Sequence, residues 1–224
     1  MEDTAPKCAR CPYSYSDRFC NTVDGKSLPS CPTEKQRELL SKSLKEYEKP
    51  EILEFARQAS IQEAEGYEKI NGGDDRVKPI KPRIVEIIEF AEKMKYTRIG
   101  FVFCEGLAKE ARVVEKLFKS NGFEIISPVC KAGRTPKEKI GVQDDQKICA
   151  GSFESMCNPI FQAFLLNDQK TQFNVLLGLC VGHDSLFFKY SDALCTVLAA
   201  KDRLLGHNPL AAIYNIDCYY EYIK

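Results

Sequence analysis

The sequence predicts an α/β protein: a Rossmann-like or flavodoxin-like parallel sheet of about four strands, preceded by a helical segment and a cysteine-rich N-terminal arm. Three observations predict it. Four short apolar runs in residues 97–224 alternate with helical patterns, as in a parallel sheet covered on both faces. Residues 33–96 carry apolar side chains at helical spacing. Residues 1–32 have no periodic apolar pattern and are rich in Cys, Pro, Ser, Asp and Gly, so they need something other than a core to order them. The expected organisation is a metal-binding arm at 1–32, a helical segment packed on the body at 33–96, and an α/β domain at 97–224.

In the helical segment, Thr33 with Gln36 reads as a capping box ahead of Leu39, Leu40, Leu44 and Tyr47. Pro50 ends that helix and opens the next, where Ile52, Leu53, Phe55, Ala56, Ala59 and Ala64 repeat on one side. Asn71-Gly72-Gly73-Asp74-Asp75 is a loop. Pro82 precedes a third helix carrying Ile84, Ile87, Ile88, Ala91 and Met94.

In the α/β domain, Arg98–Cys104 reads as a buried strand and Leu107–Lys119 as a helix, which Asn121-Gly122 ends. A second strand is expected over Phe123–Cys130, then a long connection at 132–156 and a helix over Asn158–Asn167. Asn174–Val181 is a third strand, His183–Tyr190 a short helix and Cys195–Ala200 a fourth strand. Asn208-Pro209 caps a last helix.

Composition narrows the function. A chain of 224 residues can bury a core without covalent staples. Lys+Arg and Asp+Glu balance at 32 each, which gives no electrostatic case for nucleic acid or an anionic membrane. The start, Met1 to Cys8, has no basic and apolar leader, and no run reaches the roughly 18 apolar residues of a membrane span. A cytoplasmic location is expected, where thiols stay reduced. Eleven cysteines, an odd number, then point to metal or redox chemistry and away from a disulfide framework.

The cysteines fall in two sets. Cys104, Cys130 and Cys180 end the first three predicted strands, and Cys157 opens a helix at the same level. In an open parallel sheet the strand C-termini share one edge, where ligands bind. Helix starts there supply free N–H groups that suit thiolates or an anionic cluster. An iron–sulfur cluster, of the four-iron type, is therefore expected on Cys104, Cys130, Cys157 and Cys180; the bland alternative is four small buried side chains. The second set, Cys8, Cys11, Cys20 and Cys31, begins with C-x2-C and suits zinc or a second cluster. Cys149, Cys195 and Cys218 lie outside both sets, and Cys195, at a strand start, reads as core.

Other candidates are weaker. His183 can ligate metal, donate to a cluster sulfur, or serve as base to a Cys180 nucleophile, although His183 or Asp184 can simply cap a helix. Lys201, Asp202 and Arg203 sit at the crevice edge, where they bind an anionic substrate or, as the favoured reading, pair with one another. His207 reads as structural. Gly25-Lys26-Ser27 lacks the upstream glycine of a phosphate loop, and no G-x-G-x-x-G follows the first strand.

Over nearly its whole length the chain resembles a family of small cysteine-rich proteins of unknown function from anaerobic prokaryotes, usually labelled only "metal-binding protein". The segments that carry the resemblance are Cys8, Cys11, Cys20 and Cys31-Pro32; Cys104-Glu105-Gly106-Leu107; Cys130-Lys131-Ala132-Gly133; Gly151 to Ile160; Gly178 to Asp184; and Lys201-Asp202-Arg203 with Gly206-His207-Asn208-Pro209. The resemblance implies metal binding in an anaerobic setting and no particular reaction. It also implies that Cys149, Cys195 and Cys218 stand outside the shared sites. The function expected is electron transfer, or redox or sulfur chemistry on a small substrate, with a redox partner or small molecule as the other party. A zinc storage, sensor or carrier module is one alternative. A thiol enzyme built on Cys180 and His183 is the other.

Overall fold

The structure is a computed structural model that describes residues 5–70 and 76–224. The chain forms two compact units, Met1–Ile61 and Gln62–Lys224.

The first unit begins with loops tied by backbone bonds. Phe19 N–H donates to Lys26 O at 3.0 Å, and Lys26 N–H to Asp17 O at 2.7 Å. A Cβ on Gly25 would lie 2.4 Å from the Arg18 carbonyl carbon, so this closure requires glycine. Helices α1 (Pro32–Lys35), α2 (Arg37–Glu46) and α3 (Pro50–Glu65) follow, the last running into the second unit. The capping box expected at Thr33 and Gln36 does not form. Pro32 starts α1 one residue earlier, Cys31 takes the N-cap place without a side-chain bond, and Gln36 falls in the break before α2. The stripe Leu39, Leu40, Leu44 and Tyr47 is exposed. Pro50 opens α3 as expected.

The second unit contains a two-stranded antiparallel hairpin, β1 (Tyr67–Lys69) with β2 (Val77–Pro79), where the sequence pattern suggested helices joined by a loop. Every residue of both strands is exposed, so at three residues each neither shows the half-buried run that marks a strand in sequence. The loop expected at 71–75 lies outside the described residues. Helix α4 (Arg83–Lys93) starts behind Pro82 and buries Ile87, Ile88, Phe90 and Ala91.

The alternating part forms as read: β3 (Arg98–Phe103), α5 (Ala108–Ser120), β4 (Glu124–Ile126), α6 (Pro159–Asp168), β5 (Phe173–Leu177), α7 (His183–Tyr190), β6 (Cys195–Ala199) and α8 (Leu210–Tyr214). The four strands are all parallel in the order β4-β3-β5-β6. Side chains alternate across the sheet. Phe101 meets Phe118 of α5, and Phe173 meets Phe90 of α4. On the other face Val102 and Leu176 join a buried cluster with Ala163 and Leu166 of α6 and Phe187 of α7. Gly100 on this face leaves room for Asn174, which is fully buried and bonded to Thr171 and Ser191 at 2.8 Å each. The sheet thus has a flavodoxin-like order with its topological switch between β3 and β5.

Two strands are shorter than expected. Pro128 removes a ladder donor, so β4 stops at Ile126 and only Val129 pairs again, with Phe103. β5 stops at Leu177 because Gly178, at φ 62°, turns the chain. At the last helix, Pro209 stands at the N-cap and makes no side-chain capping bond, so Asn208 is not the cap. Among the described residues, no helix is long and apolar enough to cross a membrane.

Candidate functional site

The carboxyl edge of the sheet places Cys104, Cys130, Cys157 and Cys180. Cys104 follows β3, and its N–H is held by Leu177 O at 3.1 Å. Cys130 is buried, and its N–H donates to Phe103 O at 3.0 Å. The chain before it is fixed by buried Gln162, whose side-chain N–H donates to Pro128 O at 2.9 Å. Cys157 is positioned by its neighbour: Asn158 N–H donates to Cys130 O at 2.8 Å, and Asn158 Oδ1 caps α6 by accepting from Phe161 N–H at 3.0 Å. Cys180 lies three residues past β5, in the turn that leads into α7, rather than at the strand end.

The thiols form a row. The Cys130 thiol hydrogen-bonds with those of both Cys104 and Cys157, while Cys104 and Cys157 act on each other only through space. Sharing the Cys130 proton holds Cys104 down to about 4, helped by the Gly106 N–H and by Lys201. The same sharing holds Cys157 down to about 6, helped by Lys131 and His183. Cys130 is pushed up in return by its interactions with Cys104 and then Cys157, and by desolvation. The Glu105 N–H points at Cys130 Sγ at 3.3 Å. Burial pushes the Cys180 thiol up, against the pull of Arg203, whose Nη2 donates to its Sγ at 2.9 Å.

Lys201, Asp202 and Arg203 therefore do not pair with one another, contrary to the reading favoured from sequence. The Asp202 carboxylate accepts from the N–H groups of Leu204 and Leu205 at 3.1 and 2.8 Å, and both cations turn to thiols. His183 starts α7 with its Nδ1 buried and without a hydrogen-bond partner; the thiol it acts on electrostatically is Cys157. His207 Nδ1 accepts from Asp202 N–H at 3.1 Å, the structural role expected. One contributor escaped the sequence reading: Lys131, recognisable from its place directly after Cys130. The backbone donors of Glu105 and Gly106 are of the kind expected at the helix start after the first strand.

Cys195, at the opposite edge of the sheet, packs against the core cluster and bonds to Ser191 and Ala193 at 3.2 Å. Cys149 is exposed on the long connection, where its N–H donates to Glu154 Oε2 at 3.2 Å. Cys218 is exposed near the C-terminus. In the first unit, Cys8, Cys11, Cys20 and Cys31 all line one cavity of about 70 Å³, together with Arg18 and Lys26. Cys11 N–H donates to Cys8 O at 3.1 Å, the fold-back that lets a C-x2-C pair face one point.

Among the described residues, no three or more His, Cys, Asp or Glu are arranged to hold a metal ion.

A family model described as "Protein of unknown function (DUF1847)" matches residues 31–198. The chain belongs to the DUF1847 family. The matched span contains all four crevice cysteines of this DUF1847 chain, while Cys8, Cys11, Cys20, Lys201 and Arg203 lie outside it. The chain is also 39% identical over 208 residues to "Uncharacterized protein MJ0455" of Methanocaldococcus jannaschii, covering 93% of each. No solved structure matches it. Neither description names an activity or a metal, so the chemistry of this DUF1847 chain has to be argued from its geometry.

Proposed function

We propose that the chain is an iron–sulfur protein acting in electron transfer, or in redox or sulfur chemistry on a small substrate. Cys104, Cys130, Cys157 and Cys180 would hold a cluster of the four-iron type. Cys8, Cys11, Cys20 and Cys31 would take zinc or a second cluster, closing in around their cavity. The observation that carries the reading is the gathering of four thiols from four separate segments at the switch point of the sheet. A cluster of that type takes four thiolates, and these four segments offer four free thiols.

The surrounding charges fit this group. Thiolates around an anionic cluster need compensation, and Lys131, Lys201 and Arg203 supply positive charge within reach of the sulfurs. The N–H groups of Glu105 and Gly106 donate to sulfur, an interaction that tunes a cluster's potential. A bound cluster supplies one-electron redox capacity. The chain's own residues fix the sulfurs, offset their charge and, through buried Leu179 and Phe187, limit water on the core side.

A second reading is favoured by the row itself: Cys130 touches two thiols, the placement of a dithiol–disulfide couple without metal. Anaerobic purification with iron, zinc and acid-labile sulfide analysis and an absorption spectrum separates the two. Iron with sulfide and a broad band near about 400 nm supports the cluster. A colourless chain without iron, in which a disulfide forms between row cysteines, supports the couple and sinks the cluster.

A further inference from the structure

We propose that the crevice exchanges disulfides, with Cys104 as the attacking thiol, Cys130 as the resolving thiol, and a small disulfide bearing a carboxylate as the substrate, admitted between Gly106 and Lys201. The inference rests on the second, metal-free reading of the row given above, and adds to it the roles of the thiols and the class of substrate.

Cys130 is held against Cys104 from both sides. Its N–H donates to Phe103 O at 3.0 Å, and its Sγ accepts from Glu105 N–H at 3.3 Å. Those are the residues before and after Cys104, and the two thiols are in hydrogen-bond contact. Burial then divides the roles. Cys130 is 2% exposed, too deep for a substrate to reach, whereas Cys104 and Cys157 are half-buried. Attack on a molecule from outside falls to one of those two, with the Cys130 sulfur placed to follow.

Space and charge select Cys104. Gly106 is exposed, and a Cβ there would stand 3.9 Å from Cys104 Sγ and 3.5 Å from Lys201 Nζ. The absent side chain leaves a gap with the sulfur on one side and the ammonium on the other, a way in for a slender molecule. Lys201 turns to Cys104, while the cation near Cys157, Lys131, donates to Ser155 O. An ammonium has three donors, so Lys201 serves the thiolate and a substrate carboxylate together.

The Cys104 thiolate attacks one sulfur of the substrate, forms a mixed disulfide and expels the other half as a thiolate. The Cys130 thiol yields its proton and attacks the Cys104 sulfur, so that the Cys104–Cys130 disulfide forms and the second half leaves. The substrate gains two electrons, the chain loses two, and the protons of both cysteine thiols end on the two released thiols. A dithiol donor restores the pair by the reverse exchange.

For the test, the full chain is purified anaerobically and its iron and sulfide are measured. It is then treated with oxidised glutathione, which carries carboxylates, or with cystamine, a disulfide that carries amines, and each cysteine is mapped by alkylation and mass spectrometry. In the wild type, Cys104 and Cys130 should lose alkylation together as reduced glutathione is released. In Cys130→Ser, glutathione should remain on Cys104. Gly106→Ala should slow modification of Cys104 by about tenfold, the effect of one added methyl in a fitted site. Its urea midpoint should not move, because that methyl meets only ordinary contacts. Lys201→Gln should abolish the preference for glutathione over cystamine, whereas a merely structural lysine would slow both alike. Glutathione on Cys157 in place of Cys104, a wild-type rate in Gly106→Ala, or an unchanged preference in Lys201→Gln overturns the assignment and leaves the dithiol couple standing. No exchange at any row cysteine, with or without bound iron and sulfide, removes the couple and this inference with it.

Discussion

Replacing Gly100 by alanine tests the packing that carries Cys104 to the crevice. Gly100 lies in the middle of β3, at ordinary extended geometry, so the cost comes from space rather than from the backbone. An added Cβ would stand 2.0 Å from Asn174 Oδ1 and 2.5 Å from Leu166 Cδ1. Both neighbours are 0% exposed. Leu166 can shift only into a filled core, at an overpacking cost of about 1–3 kcal/mol. Asn174 can move only by straining its bonds to Thr171 and Ser191, each worth about 1 kcal/mol net. With one of the two bonds lost, the sum is roughly 2–4 kcal/mol. With an m-value of about 2 kcal/mol/M, the urea midpoint should fall by roughly 1–2 M. The double variant with Asn174→Ala should be less destabilised than the two single effects added together, because the clash partner is gone. A Gly100→Ala midpoint within about 0.25 M of wild type, or strict additivity in the double variant, would refute this account of the core.

Three further outcomes are expected. Asn158→Ala removes the α6 cap and should cost about 1 kcal/mol in urea unfolding, and an unchanged midpoint would count against the cap. Glu89 is held below its ordinary value of 4.5 by Lys81, then by Gln62, so it contributes stability above pH 4.5 that is lost as the pH falls through its lowered folded value. The gap in urea midpoint between wild type and Glu89→Gln should therefore narrow between pH 7 and pH 3, and an equal gap at both would count against the pairing. Cys149→Ser and Cys195→Ser should leave metal per chain unchanged by elemental analysis; a loss in either would bring that thiol into a site.

Much of the fold was legible because burial writes itself into runs and periods. Ile99 to Val102 and Val175 to Leu177 are apolar because both sheet faces are covered, and Ile87, Ile88 and Ala91 mark the buried side of α4. The placing of Cys104 and Cys130 after strands, and of Cys157 before a helix, was enough to gather these three at one edge. The hairpin was illegible because its strands are exposed on both faces and, beyond the backbone ladder, pair through the exposed Glu68–Lys78 ion pair, which leaves no apolar pattern. The charge triplet at 201–203 was misread for another reason. Which partner takes the Asp202 carboxylate is settled by the turn that brings the Leu204 and Leu205 amides to it, and that turn is not a property of the three charged residues.

The spacing of the two cysteine sets has a consequence for biogenesis. The first set spans residues 8–31, and its cavity is lined entirely by residues 7–33. Its sulfurs are together as soon as that short stretch has left the ribosome. The crevice set spans residues 104–180, and its cysteines meet only when β3, β4 and β5 are paired in parallel, a slow and non-local event. Until then, Cys104 and Cys130 are ordinary free thiols on an unfinished chain, open to oxidants and to stray metal. If both sets bind metal as proposed, loading of the crevice would follow folding, while the arm's site could be filled during synthesis. On that reading a cell starved of one metal would accumulate half-filled protein of a defined kind, its arm occupied and its crevice waiting.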